Sequence, residues 1–327
     1  MYLFMTGIAQ EFGLRIHLAS TLLGTFIFFP FSHTRTIVIT PEGIRSRNKE
    51  SLFNISNEQR IPRIIHQVKL GNLKMQPKWI EARKSCIDLH PDWQFKLWED
   101  EESGNFVNTQ FPNLLETYLN YPLEIQRSNV LRYLVLHKFG GIYLDLDLGC
   151  KTPLDGLRNE SFLTPPANPS GINNAFIAST PDHPFWSHVE DYLITFNRNW
   201  FNSPYITNMF STGCHFLSTM HRLYGDQPSL TIMDQANKLN GHVETPLFEH
   251  LGASSWHKGD AKAILRIGQQ IENIKNHFFS LVIILFLFSF GIYFAFASLR
   301  RLRHARKRKL GRYEDVEASK ELVVHHE

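Results

Sequence analysis

Cysteine is scarce in this 327-residue chain, which has only Cys86, Cys150 and Cys214. They form no C-x-x-C pair and no Cys/His cluster, which argues against a zinc site. In an oxidising compartment three cysteines allow one disulfide and one leftover thiol, and sequence does not choose the pair. Internal repeats and low-complexity tracts are also missing. With 43% hydrophobic and 20% charged residues, the composition is that of an ordinary globular protein. A basic face is lacking as well. The net charge is +3, but residues 300–327 carry nine Lys/Arg against five acids, hence +4, which leaves residues 1–299 at −1. A near-neutral body of this kind excludes ordinary nucleic-acid binding.

Long uncharged runs are present. Residues 278–299, FFSLVIILFLFSFGIYFAFASL, are 22 residues without a charge. As a helix they would extend about 33 Å, enough for a hydrocarbon core of roughly 30 Å. RRLRHARKRK follows, with seven Lys/Arg in ten residues. The positive-inside rule predicts that this tail, 300–327, is cytosolic, with the preceding chain lumenal or exterior. Residues 16–34 also lack Asp, Glu, Lys and Arg. No small-x-small cleavage site follows, so they read as an uncleaved signal anchor after a cytosolic segment, 1–15. Residues 35–60 read as a stem, and the sequons at Asn54 and Asn159 agree with a lumenal domain.

The folded part is expected over 61–270. Strands are predicted at 63–67 and 93–98, and helices at 77–89, 123–138, 183–196 and 212–225. Strands alternating with helices imply an α/β sheet with parallel pairs. Within it stands FGGIYLDLDLGC, residues 139–150. As one strand, it would turn Ile142 and Leu144, Leu146 and Leu148 to a core. Tyr143, Asp145 and Asp147 would line the other face. Two like charges at a strand end make sense if a hard divalent cation, Mn²⁺ or Mg²⁺, is shared with an anionic ligand. A solvent-exposed edge strand is the plainer reading. One helix upstream, Asn129 and Arg132 lie three residues apart on one face, and an arginine near such a cation site suits a pyrophosphate.

RSNVLRYLVLHKFGGIYLDLDLGC resembles the R-x-D-x-x-R-Y…GG-x-Y-x-D-x-D block of a family of retaining, DXD-containing glycosyltransferases. That family includes fungal mannosyl inositol-phosphoceramide synthases and Golgi N-glycan mannosyltransferases. IPRIIHQ, CIDLHPDWQFKLWED, GINNAFIASTPDHPFW, SPYITNMFSTGCHFLS and SSWHKGDA extend the likeness, in order, over roughly residues 60–262. The last block, followed by a C-terminal span, is most similar to the sphingolipid mannosyltransferases.

The resemblance implies a GT-A-type, Rossmann-like α/β domain in the Golgi membrane, lumenal, metal-dependent and retaining by same-face attack. The expected donor is a nucleotide sugar, GDP-mannose, and the expected acceptor is the lipid inositol phosphorylceramide. It further implies that His66 and Gln67 lie beside the nucleotide base and that Arg132 meets the donor's phosphates or sugar. Asp145 would bind donor hydroxyls, Asp147 would ligate the metal, and Asn174 would approach the transferred sugar. Trp256 would close over the pyrophosphate, with Ser255 or His257 completing the metal site. Asn129 stands where the family has Asp, which raises a second reading: an impaired homologue acting as a regulatory subunit. Ala175 and Leu148 stand where sphingolipid-type relatives have Asp, and Cys214 where Pro is common. Two further readings are a glycoprotein-glycan acceptor and a non-catalytic membrane scaffold. From pattern alone, His66 reads more simply as a satisfied core histidine.

Overall fold

The structure, a computed structural model, describes residues 2–28, 34–53, 60–167, 170–252, 260–261, 264, 266, 270 and 287–290. The chain divides after Asp260, and the fold below is that of the first unit. In chain order it runs α1 (Tyr2–Phe28), β1 (Arg35–Ile37), α2 (Pro41–Phe53), β2 (Ile64–Val68), α3 (Pro77–Leu89), β3 (Gln94–Trp98), α4 (Asp100–Gln110), α5 (Pro112–Leu119) and α6 (Glu124–Phe139). Then come β4 (Gly141–Leu144), β5 (Leu148–Cys150), β6 (Phe162–Thr164), β7 (Phe176–Ser179), α7 (Pro184–Phe196), α8 (Pro204–Ser211), α9 (Cys214–Leu223), β8 (Thr231–Met233), β9 (Val243–Glu244) and β10 (Phe248–His250).

Seven strands form one mixed sheet in the order β1-β8-β6-β7-β4-β2-β3. β2 runs parallel to both β3 and β4, while β7 is antiparallel to β4 and β6. β5, β10 and β9 make a second, antiparallel sheet. The period-two expectation for the tyrosine–leucine run holds within β4. Tyr143 joins the core that contains α6, α7 and α9, whereas Ile142 and Leu144 join the core on the other side with Cys86 and Leu148. The two glycines before β4 are required by their backbone. Gly140 ends α6 at φ +61°, and a Cβ there would meet Pro181 N at 2.5 Å. Gly141 has φ +90°, and its Cβ would meet Ile64 O at 2.6 Å. Pro112 and Pro184 begin α5 and α7, and the His183 side chain caps α7 by accepting from Phe185 N.

Two expectations change. Residues 35–60 are not a stem over their described part: β1 pairs in parallel with β8, and Ile37, Ile39 and Ile44 are buried. Asn48 bonds Pro153 O and Gly156 N, tying α2 to the fold. A three-residue strand and three scattered isoleucines carry too little periodicity to read as structure. Residues 16–28 of the expected signal anchor are the second half of α1, and 29–33 lie outside the described residues. Leu18 and Leu22 are buried in the core that holds Phe216, Leu217 and Met220 of α9. Thr25 Oγ1 bonds Thr219 Oγ1 at 2.9 Å, and His215 Nε2 donates to Leu22 O at 2.6 Å. Here the helix is a packed element of the domain. Among the described residues no helix is long and apolar enough to cross a membrane. The expected span 278–299, apart from 287–290, and the tail 300–327 lie outside them.

The expected one disulfide and one leftover thiol are both present, and the structure supplies the pair. Cys86 of α3 and Cys150 of β5 form the disulfide, and Cys214 is the free thiol.

Candidate active site

β4 stops at Leu144, so the D-x-D segment is a turn and not the continuous strand expected. Asp145 N donates to Ala175 O at 2.8 Å, and Leu148 N donates to Asp145 O at 3.1 Å, closing the turn into β5. The turn separates the carboxylates. Asp145 Oδ1 accepts from Tyr143 OH at 2.7 Å and pairs with Arg132 Nη1 at 3.2 Å. Asp147 Oδ2 lies 3.4 Å from His250 Nε2. Burial, reinforced by the Asp147 charge, pushes the Asp145 carboxyl up from its ordinary range, although Arg132 opposes the rise.

Arg132 is sealed in by its neighbours. Its side chain is 3% exposed; Nη1 donates to Asn174 O at 2.6 Å and Nε to Ser128 O at 3.4 Å. Its Cζ lies 4.4 Å from the centre of the Tyr143 ring. Burial alone would lower its pKa, but the Asp145 carboxylate and adjacent tyrosines hold it charged. Through Asp145 and the Asn174 backbone the guanidinium positions the turn.

Asn174 is similarly committed. Its Nδ2 donates to Asn129 Oδ1 at 3.2 Å and to Tyr133 OH at 3.1 Å, and its Oδ1 accepts from Cys214 Sγ at 2.8 Å. Asn129, 3% exposed, donates through Nδ2 to Asn208 Oδ1 at 2.8 Å and Thr212 Oγ1 at 3.2 Å. Asn129 and Asn174 thus form a neutral amide network behind the turn. Burial pushes the Cys214 thiol up, so it stays protonated as the donor to Asn174.

The plainer reading of His66 is the one observed. Trp98 Nε1 donates to Nδ1 at 3.1 Å, and Nε2 donates to Gly140 O at 3.0 Å. Burial, with help from Lys96, lowers its pKa to about 4. Gln67 is fully buried, its Oε1 taken by Arg83. Neither side chain opens onto the site. Ser255, Trp256 and His257 lie outside the described residues.

His250 was not legible in the sequence. It is 103 positions from Asp147, and only the pairing of β10 with β5, His250 opposite Leu148, brings it there; Leu251 N also donates to Asp147 O at 3.0 Å. The one signal is its position just before SSWHKGDA. Burial would lower the His250 pKa, but its hydrogen bond to Asp147 and the charges of both aspartates raise it. Among the described residues no group of three or more acidic, His or Cys side chains is already arranged as a metal cage. The donor set nevertheless fits a divalent cation with open positions. Asp147 offers hard oxygens and His250 a nitrogen beside them, a combination that Mn²⁺ accepts readily.

Comparison with known proteins agrees with this site. Residues 76–163 match the family described as glycosyltransferase sugar-binding region containing DXD motif. Inositol phosphoceramide mannosyltransferase 1 of Schizosaccharomyces pombe is 34% identical over 77% of this chain and 77% of its own length. Mannosyl phosphorylinositol ceramide synthase CSH1 of Saccharomyces cerevisiae is 35% identical over 74% of this chain and 63% of its own. The chain belongs to this DXD-containing glycosyltransferase family. It spans about three fifths of the length of the first two curated relatives, 63% and 57%. Among solved structures, the PaToxG glycosyltransferase aligns with a TM-score of 0.36 and 16% identity over 63% of this chain and 78% of that one.

Proposed function

We propose that this protein transfers a mannosyl residue from GDP-mannose to inositol phosphorylceramide, with retention of anomeric configuration, on the lumenal side of the Golgi membrane. The reaction class is supported by the family, and the sugar and lipid by what the similar proteins are named for. The single observation that carries a catalytic reading is the D-x-D turn. Asp145 is locked inward by Arg132 and Tyr143, and Asp147 is left beside His250. A disulfide beside this turn supports an oxidising compartment.

Asp147 and His250 would hold the divalent ion, which supplies Lewis-acid stabilisation of the departing nucleoside diphosphate. His250 must give up its proton to serve as a ligand. Asp145 fixes the turn through its backbone and presents its outer oxygen to donor hydroxyls. Arg132 keeps that carboxylate oriented without touching substrate.

The test is an assay of full-length protein in detergent, with Mn²⁺, GDP-mannose and inositol phosphorylceramide. Mannosylated lipid is expected, and Asp147→Asn should abolish it. GDP release with mannose delivered only to glycoprotein glycans would overturn the acceptor. Absence of donor hydrolysis or transfer under any divalent metal would overturn the enzyme reading.

A further inference from the structure

Besides Arg132, which Asp145 and the Asn174 backbone hold, the fold brings a second arginine towards the D-x-D turn in a place the sequence did not flag. Arg83 lies in the middle of α3, a helix fastened to the D-x-D hairpin at successive points. Ser85 Oγ accepts from Cys150 N at 2.9 Å, Cys86 is disulfide-bonded to Cys150, and the α-carbon of Gly149 faces Ala82. From the other side, Arg83 reaches β2. Its Nη1 donates to Gln67 Oε1, and its Cζ stands 5.8 Å from the centre of the Phe95 ring. β2 pairs with β4 as His66 opposite Tyr143, so Gln67 is level with Leu144, the residue before Asp145. Arg83 is therefore bracketed by the D-x-D hairpin and the carboxyl end of a parallel strand pair, the edge where open α/β sheets take their ligands.

Two features of this pair point to a ligand. Arg132 and Arg158 each have an aspartate partner, whereas Arg83 is half-buried with no carboxylate in ion-pair range among the described residues. Burial is the sole influence on its pKa, with no counter-charge to offset it. Gln67, fully buried, uses its carbonyl to hold Arg83 and leaves Nε2 without a partner. A buried amide with one polar group unmet is a poor stabilising device. It is well suited to aiming a half-buried guanidinium.

We infer that Arg83 binds the diphosphate of the donor nucleotide, with Gln67 as its positioning residue; this rests on the proposed glycosyltransferase reading. Arginine offers a planar fork of N–H donors that matches phosphate oxygens, and a diphosphate supplies the counter-charge that Arg83 lacks.

The test is calorimetric binding of GDP to full-length protein in detergent with Mn²⁺, comparing the native chain with Arg83→Gln, Arg83→Lys, Gln67→Leu and Asp147→Asn. Arg83→Gln should weaken GDP binding roughly 10- to 100-fold, as expected for loss of charge-assisted hydrogen bonds. Arg83→Lys should fall between it and the native chain, because it keeps the charge and loses the fork. Gln67→Leu should weaken GDP binding less than Arg83→Gln and raise the KM for GDP-mannose while leaving the KM for the lipid unchanged. Arg83→Lys guards against a folding defect in the glutamine variant. Native-like GDP affinity in both Arg83 variants, with Asp147→Asn weakened, would overturn the inference and leave the enzyme reading standing. A native chain that binds no nucleoside diphosphate would overturn both.

Discussion

Replacing Asn129 by aspartate installs the residue that the family resemblance leads one to expect, yet the structure predicts a loss rather than a gain. Asn129 Nδ2 is a donor to two acceptors, Asn208 Oδ1 at 2.8 Å and Thr212 Oγ1 at 3.2 Å, inside a site that is 3% exposed. A carboxylate has no donor, so Asn208 Oδ1 would face another oxygen at hydrogen-bond distance. The threonine hydroxyl can rotate to donate; the Asn208 oxygen cannot. Leaving one buried acceptor unmet costs about 1–3 kcal/mol. Protonation of the new carboxyl restores a donor, so burial and the facing oxygen should raise its folded-state pKa above the unfolded value near 3.9. The sign follows: relative to the native chain, Asn129→Asp is least destabilised below about pH 4 and loses stability as pH rises through the raised folded-state pKa. Because Asn129 also accepts from Asn174, whose backbone holds Arg132, donor turnover should fall with it. Urea unfolding at pH 5 and pH 8, beside GDP-mannose turnover, tests this. Equal stability at pH 8 with increased turnover would refute the neutral-network account and favour an impaired native enzyme.

Arg132→Met should destabilise by about 2 kcal/mol, less than the 3–5 typical of a sealed pair because the Asp145 side chain is 31% exposed; thermal melting that does not move would contradict the bracing role. The Cys86→Ser, Cys150→Ser double variant should lose about 4 kcal/mol, from the loop entropy of a 64-residue separation, read by urea midpoint, and an unchanged midpoint would show the bond to be dispensable. His66, His215 and His221 have pKa values lowered from 6.5 to about 4, chiefly by burial. Each stays neutral in the fold while its unfolded form protonates. Stability complete above pH 6.5 is then lost as pH falls towards 4, by about 2 kcal/mol per histidine at pH 5. Urea midpoints that coincide at pH 7 and pH 5 would refute it.

Elements with strong local signals are legible before any coordinates. The helix expected at 77–89 is α3, since Pro77 starts it and an apolar stripe runs through Trp79, Ala82 and Cys86. The stop after α6 is legible from the paired glycines. Features made by partners distant in sequence do not show. β1 is a strand only because β8 is beside it, and His250 meets Asp147 only across the β5–β10 pairing. The choice of cysteine pair depends on α3 lying against the hairpin. His66 shows a different limit: its strand runs beside β4, which leads into the D-x-D turn, but alternation sends the side chain into the core.

The D-x-D motif is the clearest case of local structure changing chemistry. As a continuous strand, Asp145 and Asp147 would have been equivalent neighbours on one face, repelling each other until a cation came between. The turn after Leu144 makes them unlike. Asp145 takes an arginine, a tyrosine hydroxyl and a backbone tie, so its negative charge is answered inside the protein. Asp147 faces a histidine, His250, whose pKa both aspartates raise. One aspartate therefore holds the turn, and the other is the one proposed to take the ion. The arginine that the pattern assigned to phosphate pairs with the first of them, and on the inference above a second arginine, on α3, meets the diphosphate.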